Sequence, residues 1–497
     1  MNFKKIGAAA LAAALMASTA VTASAAEQME LLTTPASIIG DTAKDTGVYY
    51  CGDGVFLSSK GAFYIGEDEI ANWQKTGELT PKTVKTDFDL TKVNRKWSGD
   101  LDNSGFIQVI STDNNGNAKD RYIVKFDRKN AALNTVYTKP ADWCYTRSDG
   151  YTFESNYTDA AEKTAKISVT SPDGITNTST LTYSGNGGSW YSAFASLGTG
   201  KYIGYVLWQT DTRVNEFGFD EYDYVLYGVD KNAKLVEFTK GTDCGMGMYG
   251  TGENYVVWGA LPMARSMRYH VYLPDSGKDY DIGSMLYKEG AAENAKYYAI
   301  NGISGDKVYG TKAILSVDAP QSGGTRYVLA DISKVSSNST FSFNAYKSMS
   351  TTDGKIYIVQ TEDDKWGYID ANGKVLGTFD DAGDFYGDYA PVVKNGKGYL
   401  IDRSMNRVSA EINATGIFTV SEGLFRVING NDVYLMTYSG KPASVPTTPS
   451  TPSTPTTPEN PGSTEKDNPD TGAQGIALAL GAAALAGAVV VSSRKKK

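Results

Sequence analysis

Between residues 27 and 441 the chain repeats one pattern. Four to six residues of alternating or continuous apolar and aromatic character are followed by a polar turn. Residues 122–126, 166–169, 224–227, 269–272 and 355–359 are such runs. They are rich in the β-branched and aromatic side chains that suit a pleated, half-buried surface. Between runs lie turn clusters at 114–117, Asp173-Gly174, 185–188, Asn372-Gly373 and Asn395-Gly396, residue types that bond local backbone and tolerate left-handed geometry. Helical periodicity is confined to short stretches near 67–75 and 289–295. The pattern predicts an all-β fold for this region.

A longer period lies over this one. A strand followed by an acidic turn recurs at Asp127, Asp230, Asp370 and Asp402, with weaker members at Asp173, Asp275 and Asp331. Units of about 40–50 residues with several strands predict a β-propeller-like ring of about seven or eight blades, each burying its faces only by stacking on neighbours. The competing architectures are tandem β-sandwiches or an open array of hairpins.

The ends of the chain break the pattern. Lys4 and Lys5 precede an uncharged run at 6–17, and small residues follow at 22–26. This is the layout of a secretory signal peptide over residues 1–26, cut after Ala25 or Ala26. At the other end, Asn468-Pro469-Asp470-Thr471-Gly472 precedes an uncharged segment at 473–493 and four terminal cations at 494–497. A bilayer core needs ~20 apolar residues in a helix, so the segment predicts a single C-terminal transmembrane helix. The cations would stay inside under the positive-inside rule.

These three parts, in this order, resemble the cell-wall sorting signal of Gram-positive surface proteins, with Asn468 where the common motif has Leu. The resemblance implies a sortase as partner, cutting between Thr471 and Gly472. Its thiolate would attack the Thr471 carbonyl, and a peptidoglycan amine would take the acyl group. Membrane contact through 473–493 would then be transient, and the protein extracellular and wall-anchored.

Ahead of the motif, residues 442–467 are dominated by Pro, Thr and Ser, with prolines at every third position from Pro446 to Pro461. That spacing fits polyproline II, and at ~3.1 Å per residue the stretch would reach roughly 80 Å. It reads as a stalk. The net charge is −8, and the leader, the stalk with its motif and the tail together carry +3, which leaves −11 for 27–441. An acidic surface repels phosphates, so nucleic acid is not an expected partner.

Near the end of the ectodomain, Trp366-Gly367-Tyr368-Ile369-Asp370 with Gly373-Lys374-Val375 resembles the WG repeat. Further copies run through Gly398-Tyr399 and Val433-Tyr434 within 364–441. The resemblance implies a β-rich module used in binding or scaffolding, not a reaction.

Candidate chemistry is sparse. A single histidine, His270, excludes zinc sites built on two or three imidazoles. Cys51, Cys144 and Cys244 are three, with no pairing given by spacing. A Cys–His dyad would need His270, which alternates with its neighbours as a strand residue does. Asp100, Asp102 and Ser104 before Gly105 have the start of a calcium loop, yet Ser111 stands where the bidentate Glu belongs. A polar turn before Phe106 explains the run equally well. Glycosidase chemistry needs two placed carboxylates, and 56 acids cannot name them. No cofactor, metal or catalytic residue is assigned. The expectation is a non-catalytic surface protein presenting its β domain to a protein or glycan. The alternative is a wall-anchored polysaccharide hydrolase or lyase using paired carboxylates.

Overall fold

The computed structural model describes residues 28–439 except 41–47, 53, 59, 93–105, 114–116, 141–143, 147–148, 158–163, 183–189, 195–199, 244, 261–267, 284–286, 290–295, 320–323 and 336–343. The leader, the calcium-like run at 100–105, Cys244, the stalk, the sorting motif and the segment 473–493 therefore lie outside the described residues, as does the side chain of Cys144. Among the described residues no helix is long and apolar enough to cross a membrane.

Among the described residues, strands in chain order, antiparallel but for one pair, build eight hydrogen-bonded sheets. Seven have four strands. The eighth has seven strands and folds back on itself as two layers. We number the layers sheet 1 (48–86), sheet 2 (106–140), sheet 3 (144–182), sheet 4 (190–243), sheet 5 (246–283), sheet 6 (287–331), sheet 7 (348–379), sheet 8 (381–413) and sheet 9 (416–438). Sheets 1 and 2 share an edge only where Lys85 and Thr86 run parallel to Ala132 and Leu133. Elsewhere they stack: the Tyr64 and Phe126 rings are 4.9 Å apart, although two strands separate theirs in the hydrogen-bonding order.

Each layer packs on the next. Apolar clusters join sheets 1 and 2 around Cys51, Leu57, Val109 and Val124, 3 and 4 around Ile167 and Val206, and 4 and 5 around Leu226 and Trp258. They continue between 5 and 6, 6 and 7, 7 and 8, and 8 and 9. Sheets 2 and 3 meet where Tyr137 Oη donates to Gly150 O at 3.2 Å and contacts Thr152 Oγ1. The last cluster, with Leu424 and Leu435 against Phe56 and Ile65, returns sheet 9 to sheet 1. The circuit is closed, which overturns the sandwich and open-array alternatives. The architecture is propeller-like, with eight sheets by hydrogen bonding and nine layers by packing. The layer count exceeds the seven or eight expected because sheets 1 and 2 are two layers joined by one hydrogen-bonded edge.

Alternation explains why strands read as continuous apolar runs. Val256 and Trp258 face sheet 4, whereas Val257 faces sheet 6. Ile358 faces sheet 8 and Val359 faces sheet 6. A strand stacked on both sides has no solvent face, so both parities are apolar.

Closure is made by the N-terminal strand Leu31–Pro35, which pairs antiparallel with Asp432–Tyr438 as the fourth strand of sheet 9. The helix α1 (Glu67–Thr76) covers the same seam with Ile70 and Trp73. Its start is tied by Glu69, which accepts from the Gly66 amide at 3.0 Å, and it ends at the left-handed Gly77. The helix expected near 67–75 is present. Of the second expected helix, Glu289 ends the strand Tyr287–Glu289 and the rest lies outside the described residues.

Candidate functional site at the meeting of sheets 7, 8 and 9

The repeating aspartates are structural. Asp230 Oδ1 accepts from the amides of Asn232 and Lys234 at 2.8 and 2.9 Å. Asp370 does so from Asn372 and Lys374, and Asp402 from Ser404 and Asn406, at the same distances. Each turn places its fourth residue in the left-handed region: Ala233 at φ 61°, Gly373 at 80°, Met405 at 66°. One five-residue turn therefore recurs between the third and fourth strands of sheets 4, 7 and 8. Asp173 sits in the same backbone turn of sheet 3, but at its third position: Ser171 starts it, its amide donating to Ile175 O at 2.8 Å, and Gly174 takes φ 84°. Asp275 sits in a turn of other geometry, Leu273 to Gly277.

The WG-like copies also superpose in position. Trp366–Asp370, Lys397–Asp402 and Asp432–Tyr438 are the third strands of sheets 7, 8 and 9. The glycine of the pair is steric: a Cβ on Gly367 would lie 2.9 Å from Gly377 O, and one on Gly398 2.9 Å from Ala414 Cβ.

Two acids between these strands were not singled out by sequence. Asp381 begins the first strand of sheet 8, and Asp384 follows it by three residues. Asp381 Oδ2 accepts from the Ile417 amide of sheet 9 at 3.1 Å, and its Oδ1 from the Ala382 amide at 3.0 Å. Asp384 Oδ1 accepts from Ser350 Oγ of sheet 7 at 3.4 Å, while its carbonyl accepts from Thr419 Oγ1 of sheet 9 at 2.7 Å. Between them, Gly383 O accepts from the buried Tyr368 hydroxyl at 2.7 Å. This short segment ties the first strands of three successive sheets.

Both carboxyls are half-buried. Burial pushes Asp381 up to about 6, against the pull of the Ile417 and Ala382 amides. It pushes Asp384 up to about 6 as well, against the Ser350 hydrogen bond. Tyr368 is raised well above its ordinary range by burial and by these two acids. A neighbouring pair behaves differently. Burial would raise Asp353, but the Lys355 and Ile356 amides and Arg403 at 2.5 Å outweigh it and hold its carboxyl low. Arg403 also donates to Gly387 O at 2.8 Å and lies over the Phe385 ring.

The remaining sequence candidates are placed apart. Cys51 is buried between sheets 1 and 2, whereas His270 is on sheet 5, so they form no dyad. His270 stacks on Trp258 at 4.3 Å, and its Nδ1 is 3.0 Å from Asp279 Oδ2. Trp258 Nε1 donates to Asp279 Oδ1 at 3.3 Å. Among the described residues no three metal-ligating side chains converge. The signal that could have found Asp381 and Asp384 is their place, flanking a glycine where one repeat copy passes into the next.

Comparison with known proteins adds one local family match. The family model for the WG containing repeat matches residues 366–397. No curated protein matches the chain. Solved structures similar to it include TolB from Acinetobacter baumannii, at 11% identity and TM-score 0.24 over 67% of this chain and 59% of that one. The WD40 domain of SCAP from fission yeast matches at 9% and 0.27, over 68% and 94%. The C-terminal WD40 domain of Sif2 matches at 7% and 0.29, over 68% and 93%. At such scores these likenesses carry no argument. The fold assignment rests on strand order and packing.

Proposed function

We propose that this chain is a non-catalytic surface protein of a Gram-positive cell, exported by residues 1–26 and joined to peptidoglycan by a sortase between Thr471 and Gly472. Its WG-repeat-containing β domain would be displayed to an extracellular protein or glycan. The observation that supports this best is the position of the tether. Asp432–Tyr438, the strand that leads into the stalk, is not an edge. It is held between Leu424–Asn429 and Leu31–Pro35, and Ser439 N donates to Glu30 O at 2.8 Å beyond the last pair. A domain hung from its last strand needs that strand paired on both sides, because an edge strand would peel from one ladder only.

One feature favours the hydrolase or lyase alternative: burial pushes the Asp381 and Asp384 carboxyls up to about 6, a range suited to acid–base work. Against it, both are already engaged by backbone amides or a hydroxyl of the fold.

The anchor is tested with Thr471→Ala in the full chain. The variant should leave the muramidase-solubilised wall fraction and collect in membranes or medium. Persistent wall linkage would refute the sortase assignment. The binding reading is tested by incubating the chain with polysaccharides. Saturable binding with intact glycan supports it, and reducing ends released by wild type but not by Asp384→Asn would replace it with the hydrolase.

A further inference from the structure

The two middle strands of sheet 4, Tyr202–Val214 and Asp220–Asp230, outrun their neighbours. The first strand of the sheet ends its pairing at Trp190 with Trp208, and the fourth at Asp243 with Tyr222. Beyond these points the pairs Arg213 with Glu221 and Val214 with Asp220 form a two-stranded ribbon. An isolated ribbon is marginal in water, and this one is braced. Arg213 bridges Asp223 at 2.9 Å and Glu221 at 3.4 Å.

Its tip is a fixed turn. Asn215 Oδ1 accepts from the amides of Phe217 and Phe219 at 2.9 and 3.0 Å. The Asn215 amide donates to Phe219 O at 2.9 Å, and Gly218 takes φ 80°. Among the described residues seven large apolar side chains are exposed, and three of them crowd this tip: Val214 at 66%, Phe217 at 58% and Phe219 at 46%. Burying such a side chain stabilises by ~1.5–3 kcal/mol. A turn already fixed in place loses little further freedom on docking.

Charge selects among occupants. Residues 211–223 hold five acids and one base, a net −4. That collar opposes an anionic bilayer. It also opposes a second copy of a domain whose own net charge is −11. We propose that the tip from Val214 to Phe219 is a docking knob that seats in an apolar socket rimmed by lysine or arginine on a protein partner. The proposal rests on the binding reading above and specifies the partner's chemistry.

A random dodecapeptide display library selected on the purified full chain tests it. The expected winners combine aromatic or aliphatic residues with Lys or Arg. They should bind Phe217→Ser/Phe219→Ser at least 10-fold more weakly, at unchanged melting temperature. A second variant, Asp211→Asn/Glu216→Gln/Asp220→Asn, keeps the apolar tip and should flatten the salt dependence of binding. Winners that bind both variants like wild type would overturn the knob and leave the binding reading standing. Failure to select any peptide would overturn the knob also. So would flotation with phosphatidylcholine vesicles that disappears in Phe217→Ser/Phe219→Ser, which would assign the tip to a membrane.

Discussion

Leu31 pairs with Tyr438 across the edge of sheet 9, the two ends of the described domain held in one ladder. Everything between them is sequential; this pairing makes the circuit closed. Removing 28–35 should therefore act far beyond its length. It would expose the Asp432–Tyr438 edge and uncover Leu435 and Met436, now buried. We expect a lowered melting temperature, early proteolysis within 424–438, and aggregation through the new edge. Limited proteolysis with mass mapping checks the order of events. First cleavage in sheet 5 would contradict it.

Asp384→Asn should change the pH dependence of stability. Burial pushes the folded-state carboxyl up to about 6 from its ordinary 3.8, so between those values the folded chain holds the proton more firmly than the unfolded one. The stability this confers is full below about pH 4 and is lost as pH rises through 6. Asparagine removes the loss. The variant should melt higher than wild type at pH 7.5 and close to it at pH 3.5. At Asp381 the gain should be smaller, because the ionised group accepts two amides. Thermal melts at the two pH values decide the matter.

Tyr368→Phe removes the hydroxyl that reaches Gly383 O from a fully buried ring. The ring still fills its place, so the loss is the hydrogen bond and the stranded carbonyl, about 1–3 kcal/mol. Urea unfolding should show a lower midpoint with an unchanged slope.

Two glycines of the first WG-like copy should fail for different reasons. Gly367→Ala drives a Cβ into Gly377 O, a clash inside a packed ladder that should cost about 1–3 kcal/mol. At Gly373 the site is open, but φ is 80°, so alanine there pays only the left-handed penalty of about 1–2 kcal/mol. Asn at 373 should recover part of the second loss. Asn at 367 should recover none of the first. Comparing the four variants by denaturation separates sterics from backbone strain.

The sequence by itself determined what is local. Strands at 122–126, 224–227 and 269–272 were legible because an apolar run of that length, bounded by turn residues, has few other ways to bury itself. The turns at Asp230, Asp370 and Asp402 were legible because an aspartate bonding the amides two and four residues ahead is a short-range event. The WG-like copies were legible for the same reason. Tertiary structure alone decided the rest. In a strand apolar on both parities, such as 255–258, nothing local says which face meets sheet 4 and which meets sheet 6. The extra layer boundary between sheets 1 and 2, the closing pair of Leu31 and Tyr438, and the contacts of Asp381 with Ile417 and of Asp384 with Ser350 and Thr419 all join residues of different strands or sheets. Their energies come from packing between those layers, so no single strand or turn contains them.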